Sequence, residues 1–200
     1  MRVDAAGTIV LLDRHLSRLQ KSAVFLSFSC PVENLRAAIK AKATQNPNRV
    51  LRLLLSKQGT YEIQINPLPE TRITRLVLAK ENIHSSDPML FHKNTARATY
   101  DQARADLPPD TDAILFNERG EITETTIATI AVLRDGKWIT PRLDCGLLPG
   151  TMRAQLLDEG KIVEGIILSS DLTPGEQVRF FNAVRGVHDI VFSANTEPRP

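Results

Sequence analysis

Residues 84–97 run His84-Ser85-Ser86-Asp87-Pro88-Met89-Leu90-Phe91-His92-Lys93-Asn94-Thr95-Ala96-Arg97, and their first five positions divide the chain. His84 to Pro88 is polar and interrupts both helical and strand periodicity, which marks a connection between packed regions. The sequence therefore predicts an N-terminal lobe over 1–83, a linker over 84–92 and a larger C-terminal lobe over 93–200.

Upstream of the break, residues 2–12 alternate weakly around Ala6-Gly7 and read as a short hairpin. Asp13 then stands where a carboxylate can cap a helix that begins near Arg14. Leu16, Leu19, Ala23 and Leu26 recur at three- and four-residue spacing and define one buried face, with Arg18 outside that stripe. A second helix is expected from Glu33 to about Thr44, after Pro31. Val50–Leu55 forms an apolar strand that turns near Gln58-Gly59. Tyr61, Ile63 and Ile65 alternate in a return strand, and Ile73–Ala79 reads as a further strand of the same lobe.

Downstream, a helix from about Thr95 to Ala105 stops before Pro108-Pro109, and Ala113–Phe116 reads as a strand entering the Glu118-Arg119-Gly120 turn. Ile127–Leu133, Asp135-Gly136 and Lys137–Thr140 make a hairpin, because Asp-Gly accepts positive φ at low cost. Pro149-Gly150 opens a helix with Met152, Leu156 and Leu157 on one side. Strands near Val178–Val184 and Val187–Phe192 follow, and the tail after Asn195 is expected to fray. Strands packed by a few helices in each half make this an α/β chain of α+β type with mixed sheets.

Composition narrows the function classes. The 200 residues are 42% hydrophobic and 24% charged, as expected of a globular chain. The 25 basic and 23 acidic residues leave a net charge of +2 and are interspersed. That balance gives no reason to expect nucleic acid as a partner and points to a small-molecule ligand. Cys30 and Cys145 belong to no metal-ligand spacing, so no metal site or disulfide framework is expected, and two reduced thiols fit the cytoplasm. No stretch has the length or apolarity of a membrane span or an export signal.

Several clusters carry side chains capable of chemistry, and each has an ordinary reading as well. His15 and Arg18 fit the polar face of a helix, and Lys93 fits a solvated surface. Glu124, in Thr123-Glu124-Thr125-Thr126, fits an edge-strand carboxylate that discourages aggregation. Leu148-Pro149-Gly150-Thr151 fits a plain helix entry, and Arg185-Gly186 a turn.

Taken together, the clusters resemble one family. Asp13-Arg14-His15-Leu16-Ser17-Arg18-Leu19 with Ser22-Ala23 is similar to the H-x-x-R-L-x-x-S-A helix of class IV aminotransferases and aminodeoxychorismate lyases. Phe91-His92-Lys93-Asn94-Thr95-Ala96-Arg97, followed by Tyr100-Asp101, looks like the lysine segment of the lyase branch. Gly120-Glu121-Ile122-Thr123-Glu124-Thr125-Thr126-Ile127 resembles the glutamate segment. Gly146-Leu147-Leu148-Pro149-Gly150-Thr151-Met152-Arg153 resembles the phosphate-binding turn, and Phe181-Asn182-Ala183-Val184-Arg185-Gly186 the lyase-type N-S-x-R-G loop.

The resemblance implies a two-lobe, fold-type-IV enzyme, similar to D-amino acid aminotransferase, that uses pyridoxal 5'-phosphate. Lys93 would be the Schiff-base lysine and the general base. Glu124 would face the pyridine nitrogen, Arg18 with the Thr151 and Met152 amides would hold the phosphate, Ala183 would line the cofactor, and Asn182 and Arg185 would contact substrate. The residue types suit these roles. An amine condenses with an aldehyde, a carboxylate keeps a ring nitrogen protonated, and a guanidinium or a helix start binds a phosphate.

The implied reaction converts 4-amino-4-deoxychorismate to 4-aminobenzoate and pyruvate in folate synthesis, in a cytoplasmic homodimer beside a chorismate-amination partner. Two rivals stand beside it. One is a branched-chain or D-amino acid aminotransferase, against which the Arg185-Gly186 loop and Tyr100-Asp101 argue. The other is a non-catalytic paralogue that keeps the fold. Family members usually carry an additional N-terminal strand with a proton-donating threonine before the point matching Met1. Thr129 replaces a common asparagine, and Ala183 stands where a hydroxyl residue often holds the phosphate.

Overall fold

The computed structural model describes residues 1–193, so the tail after Asn195 lies outside the described residues. The chain forms two compact units, Met1–Glu70 with Ala183–Arg185, and Thr71–Asn182 with the segment from Gly186 onward.

The first unit contains helices α1 (Leu12–Phe25) and α2 (Val32–Thr44) and strands β1 (Arg49–Leu55) and β2 (Tyr61–Pro67). The strands pair antiparallel with Leu51 opposite Ile65 and Leu53 opposite Ile63. Single bridges join Val3 to Ile9 and Arg2 to Val50. Leu16, Leu35, Ile39, Ala43 and Leu51 form its core with Val3. The helical stripe places Leu16 and Ala23 in the interior, as the spacing predicts.

Asp13 does not cap α1. The N-cap is Leu11, held at φ 59° without a side-chain cap, and the helix starts one residue before Asp13. Asp13 pairs instead with Arg36 of α2. A leucine in left-handed backbone costs roughly 1–2 kcal/mol, a local conflict that sequence periodicity does not reveal.

The second unit has four layers. Strand β3 (Arg75–Leu78) runs parallel to β4 (Thr111–Phe116), and β4 pairs antiparallel with β5 (Ile122–Thr125). Helix α3 (Ala98–Arg104) precedes β4. Tyr100 and Ala103 of α3 pack on Ala79, Ala113 and Leu115. The larger sheet has the order β10-β9-β6-β7-β8, from β6 (Thr129–Arg134), β7 (Lys137–Pro141), β8 (Val163–Gly165), β9 (Gln177–Asn182) and β10 (Gly186–Val191). Ile114 and Ile122 of the smaller sheet pack with Ile130, Val132, Val178 and Phe180 of the larger. On the opposite face, Ala131 and Phe181 meet Leu156 of α4 (Thr151–Asp158). Alternation along β4 and β6 thus serves two apolar layers at once.

The hairpin between β6 and β7 follows its turn chemistry, with positive φ at both Asp135 and Gly136. Strand β3 lies in the second unit through its pairing with β4, so the expected lobe boundary at 83 does not coincide with the unit boundary at 70. Segment 84–92 is held in place. Asp87 accepts from the Met89 N–H at the start of a short 3-10 turn over Pro88–Phe91, and Ser85 donates through its N–H and its hydroxyl to Glu118.

Candidate active site

Glu124 is the centre of the second unit's polar chemistry. Thr123, Glu124 and Thr125 of β5 are all buried, Glu124 with 5% exposure. Thr123 donates to the Leu115 carbonyl, and Thr125 closes a tight turn by donating to the Ala128 carbonyl and accepting the Ala128 N–H. These local bonds let a strand of polar residues sit in an interior where their groups would otherwise be costly to bury. The ordinary reading of Glu124 as an exposed edge carboxylate does not hold.

Two donors converge on one carboxylate oxygen. The Tyr100 hydroxyl donates to Glu124 Oε1 at 2.9 Å and the Leu148 N–H donates to the same atom at 3.2 Å. Among the described residues, Oε2 receives no hydrogen bond. Burial pushes the Glu124 carboxyl up to about 7, opposed by those two donors and by the charges of Lys93 and Arg97. Burial, followed by the Glu124 charge, pushes the Tyr100 phenol well above its usual range.

Lys93 follows the 3-10 turn and is exposed, with its charge acting on Glu124. Asn94 organises the backbone around it. Its amide donates to the Met89 and His92 carbonyls at 3.2 and 3.0 Å, and its oxygen accepts the Ala96 N–H at 2.8 Å.

The segment beyond Lys93 is braced as well. Arg97 donates to the Thr126 carbonyl at 2.7 Å and lies 4.8 Å over the Tyr100 ring. The Thr126 hydroxyl donates to Asp112 Oδ1 at 2.5 Å, and Asp112 is fully buried on β4.

Leu148 also leads into α4. Gly150 is the N-cap of this helix and supplies no side-chain cap. A Cβ on Gly150 would stand 2.9 Å from Thr129 Oγ1, so close approach of β6 accounts for glycine there. Thr151 is buried at the first helical position and Met152 is half-buried. A helix start left open by its own side chains offers amide donors and a positive dipole end to an anion.

The structure therefore brings together Lys93, Glu124 and, through Leu148, the approach to Thr151 and Met152. Asn182, expected as a substrate contact, donates from its amide to the Ile127 carbonyl at 3.0 Å and braces the turn after β5. Ala183 and Arg185 lie in the turn between β9 and β10, Ala183 buried and Arg185 half-buried. Arg18 is half-buried on α1 of the first unit. Sequence reasoning did not assign roles to Tyr100, Arg97, Asn94 or Asp112. The available signal was Tyr100 itself, one of two tyrosines in the chain, on a short helix without an apolar stripe.

Among the described residues, no group of three or more His, Cys, Asp and Glu side chains could hold a metal ion. No described helix is long and apolar enough to cross a membrane.

The residues of the second unit fit a pyridine ring bearing a phosphate. A buried carboxylate has one oxygen to accept from a ring N–H, an amine lies within its electrostatic reach, and an open helix start adjoins its backbone donor.

Comparison with known proteins agrees with this geometry. The family described as amino-transferase class IV matches residues 1–191. A Schizosaccharomyces pombe protein that carries the name aminodeoxychorismate lyase as a provisional assignment is 38% identical, over 90% of this chain and 83% of its own. A Mesorhizobium loti structure, provisionally assigned as an amino-acid aminotransferase, is 34% identical with a TM-score of 0.86, covering 97% of this chain and 96% of its own. The 4-amino-4-deoxychorismate lyase of Pseudomonas aeruginosa shares the fold at a TM-score of 0.83 and 18% identity, over all of this chain and 83% of its own. The two-lobe fold-type-IV architecture implied by the sequence motifs is thus the observed fold.

Proposed function

We propose that this chain, which belongs to the class IV aminotransferase family, is a pyridoxal-phosphate lyase that converts 4-amino-4-deoxychorismate to 4-aminobenzoate and pyruvate. The observation that carries the reading is Glu124, buried, bonded through Oε1 to Tyr100 and Leu148 and within reach of the Lys93 charge. The lyase name of the S. pombe relative and the Arg185-Gly186 loop favour elimination over amino transfer.

When bound, pyridoxal phosphate supplies an aldehyde that condenses with amines and a ring that accepts the electron pair left by a departing proton. Lys93 would supply the amine that anchors the cofactor and the base that takes the proton from the substrate carbon bearing the amine. Glu124 would accept from the ring nitrogen and keep it protonated. The Thr151 and Met152 amides at the start of α4 would hold the phosphate. Loss of the proton and departure of the enolpyruvyl group from the neighbouring carbon leave an aromatic ring, and the released enol gains a proton to become pyruvate. A cytoplasmic homodimer acting after a chorismate-amination enzyme goes with this reading.

The second reading is an amino-acid aminotransferase, favoured by the M. loti structure. Incubation of the cofactor-loaded protein with 4-amino-4-deoxychorismate and no amino acceptor separates the two. Pyruvate and 4-aminobenzoate in equal amounts over many turnovers support the lyase. Turnover that requires a keto acid supports the aminotransferase, and activity with neither substrate class supports a non-catalytic paralogue.

A further inference from the structure

We propose that Tyr100 is a positioning residue that locks Glu124 through Oε1, so that Oε2 is the oxygen presented to the ring nitrogen of the cofactor. The lock is a property of the protein alone, whereas the identity of what Oε2 meets rests on the functional reading above.

A glutamate carboxylate turns easily, because its terminal torsion is broad. Two donors on the same oxygen remove that freedom. The Leu148 N–H is one of them, fixed by the backbone, and the Tyr100 phenol is the other, contributed by α3. The phenol is itself held. Its ring lies beneath the Arg97 guanidinium, which is tied to the Thr126 carbonyl and stands 3.8 Å from Asp101. Thr126 is anchored on buried Asp112, which also lies 4.0 Å from Arg104 of α3. Both ends of the Tyr100 helix therefore refer back to β4 and the turn after β5.

The charged and titratable groups acting on Glu124 are Lys93, Arg97 and Tyr100. Tyr100 responds in turn to Glu124, Arg97 and Asp87. Burial and the Glu124 charge keep the phenol protonated at neutral pH, so it serves as a donor to the ionised carboxylate. A hydrogen bond to the ionised form stabilises that form.

Tyr100→Phe keeps the ring under Arg97 and removes only the O–H. In the cofactor-free protein, carbon NMR of labelled glutamate side chains follows the Glu124 carboxyl, identified by its absence in Glu124→Gln. The proposal expects the Glu124 midpoint in Tyr100→Phe to rise by about one pH unit, the worth of one hydrogen bond to an ionised group. Because the chain has two tyrosines, growth on 3,5-difluorotyrosine in a Tyr61→Phe background labels Tyr100 alone and makes it a stronger donor, so the midpoint should fall. Pyridoxal phosphate affinity in Tyr100→Phe should drop about fivefold at pH 7 and recover at pH 9, where Glu124 is ionised without help. Equal midpoints in all three proteins would overturn the lock. A moved midpoint with unchanged affinity, or with a loss equal at both pH values, would overturn the positioning role. If the wild type titrates as described and captures no pyridoxal phosphate, the functional reading fails and the lock stands by itself.

Discussion

The backbone N–H of Leu148 donates to Glu124 Oε1 across 3.2 Å and so ties the buried carboxylate to the loop that opens α4. Through this bond the glutamate and the helix start share one backbone segment, and a disturbance at either is felt at the other.

Glu124 gives the cofactor-free protein a pH-dependent stability. Its folded value of about 7 stands above the ordinary 4.5. The native state then binds more protons than the unfolded chain between those values, so stability is full below about pH 4.5, falls as pH rises towards 7 and levels above it. At about 1.4 kcal/mol for each tenfold change in proton affinity, the loss is on the order of 3 kcal/mol. Glu124→Gln, which keeps an acceptor for Tyr100 and Leu148, is expected to flatten the curve and to be the more stable protein at pH 8. Urea unfolding at pH 5 and pH 8 checks this, and parallel behaviour of the two proteins would count against it.

Gly150 and Thr129 should be energetically coupled. The 2.9 Å between a Cβ at 150 and Thr129 Oγ1 is too short for both to remain in place, and overpacking of this kind costs about 1–3 kcal/mol. Gly150→Ala is expected to lower stability by that amount, and Thr129→Ala should relieve most of the loss. A double-mutant cycle by chemical unfolding measures the coupling, and additivity of the two changes would contradict the packing account.

Asn94 should govern how well Lys93 is presented. Its side chain makes three hydrogen bonds to backbone on both sides of the lysine. Asn94→Ala is expected to slow the capture of pyridoxal phosphate about tenfold, equivalent to roughly one hydrogen bond, while thermal stability changes little because the segment is mostly exposed. Stopped-flow absorbance gives the rate, and capture at the wild-type rate would remove Asn94 from the account.

Much of the fold was legible because apolar residues carry it. The stripe through Leu16 and Ala23, the alternation in β2 and the Asp135-Gly136 turn each name their element. Strand β5 escaped, since Ile122-Thr123-Glu124-Thr125 has one apolar residue and its polar groups are buried by virtue of side-chain hydrogen bonds rather than hydropathy. The same reason hid part of the site. Lys93, Glu124, Thr151 and Met152 stand in recognisable motifs, whereas Tyr100 acts on Glu124 over 24 positions of sequence, a separation no local pattern encodes. Leu11 shows the converse, standing at the N-cap in place of Asp13, whose carboxylate pairs with Arg36.

Attachment of the cofactor to Lys93 is tested by borohydride reduction of the protein mixed with pyridoxal phosphate. The expected result is a visible absorbance band that reduction bleaches, a pyridoxyl group located on the peptide containing Lys93 by mass spectrometry, and neither in Lys93→Ala. A reduced adduct on another lysine, or a band that persists in Lys93→Ala, would contradict it.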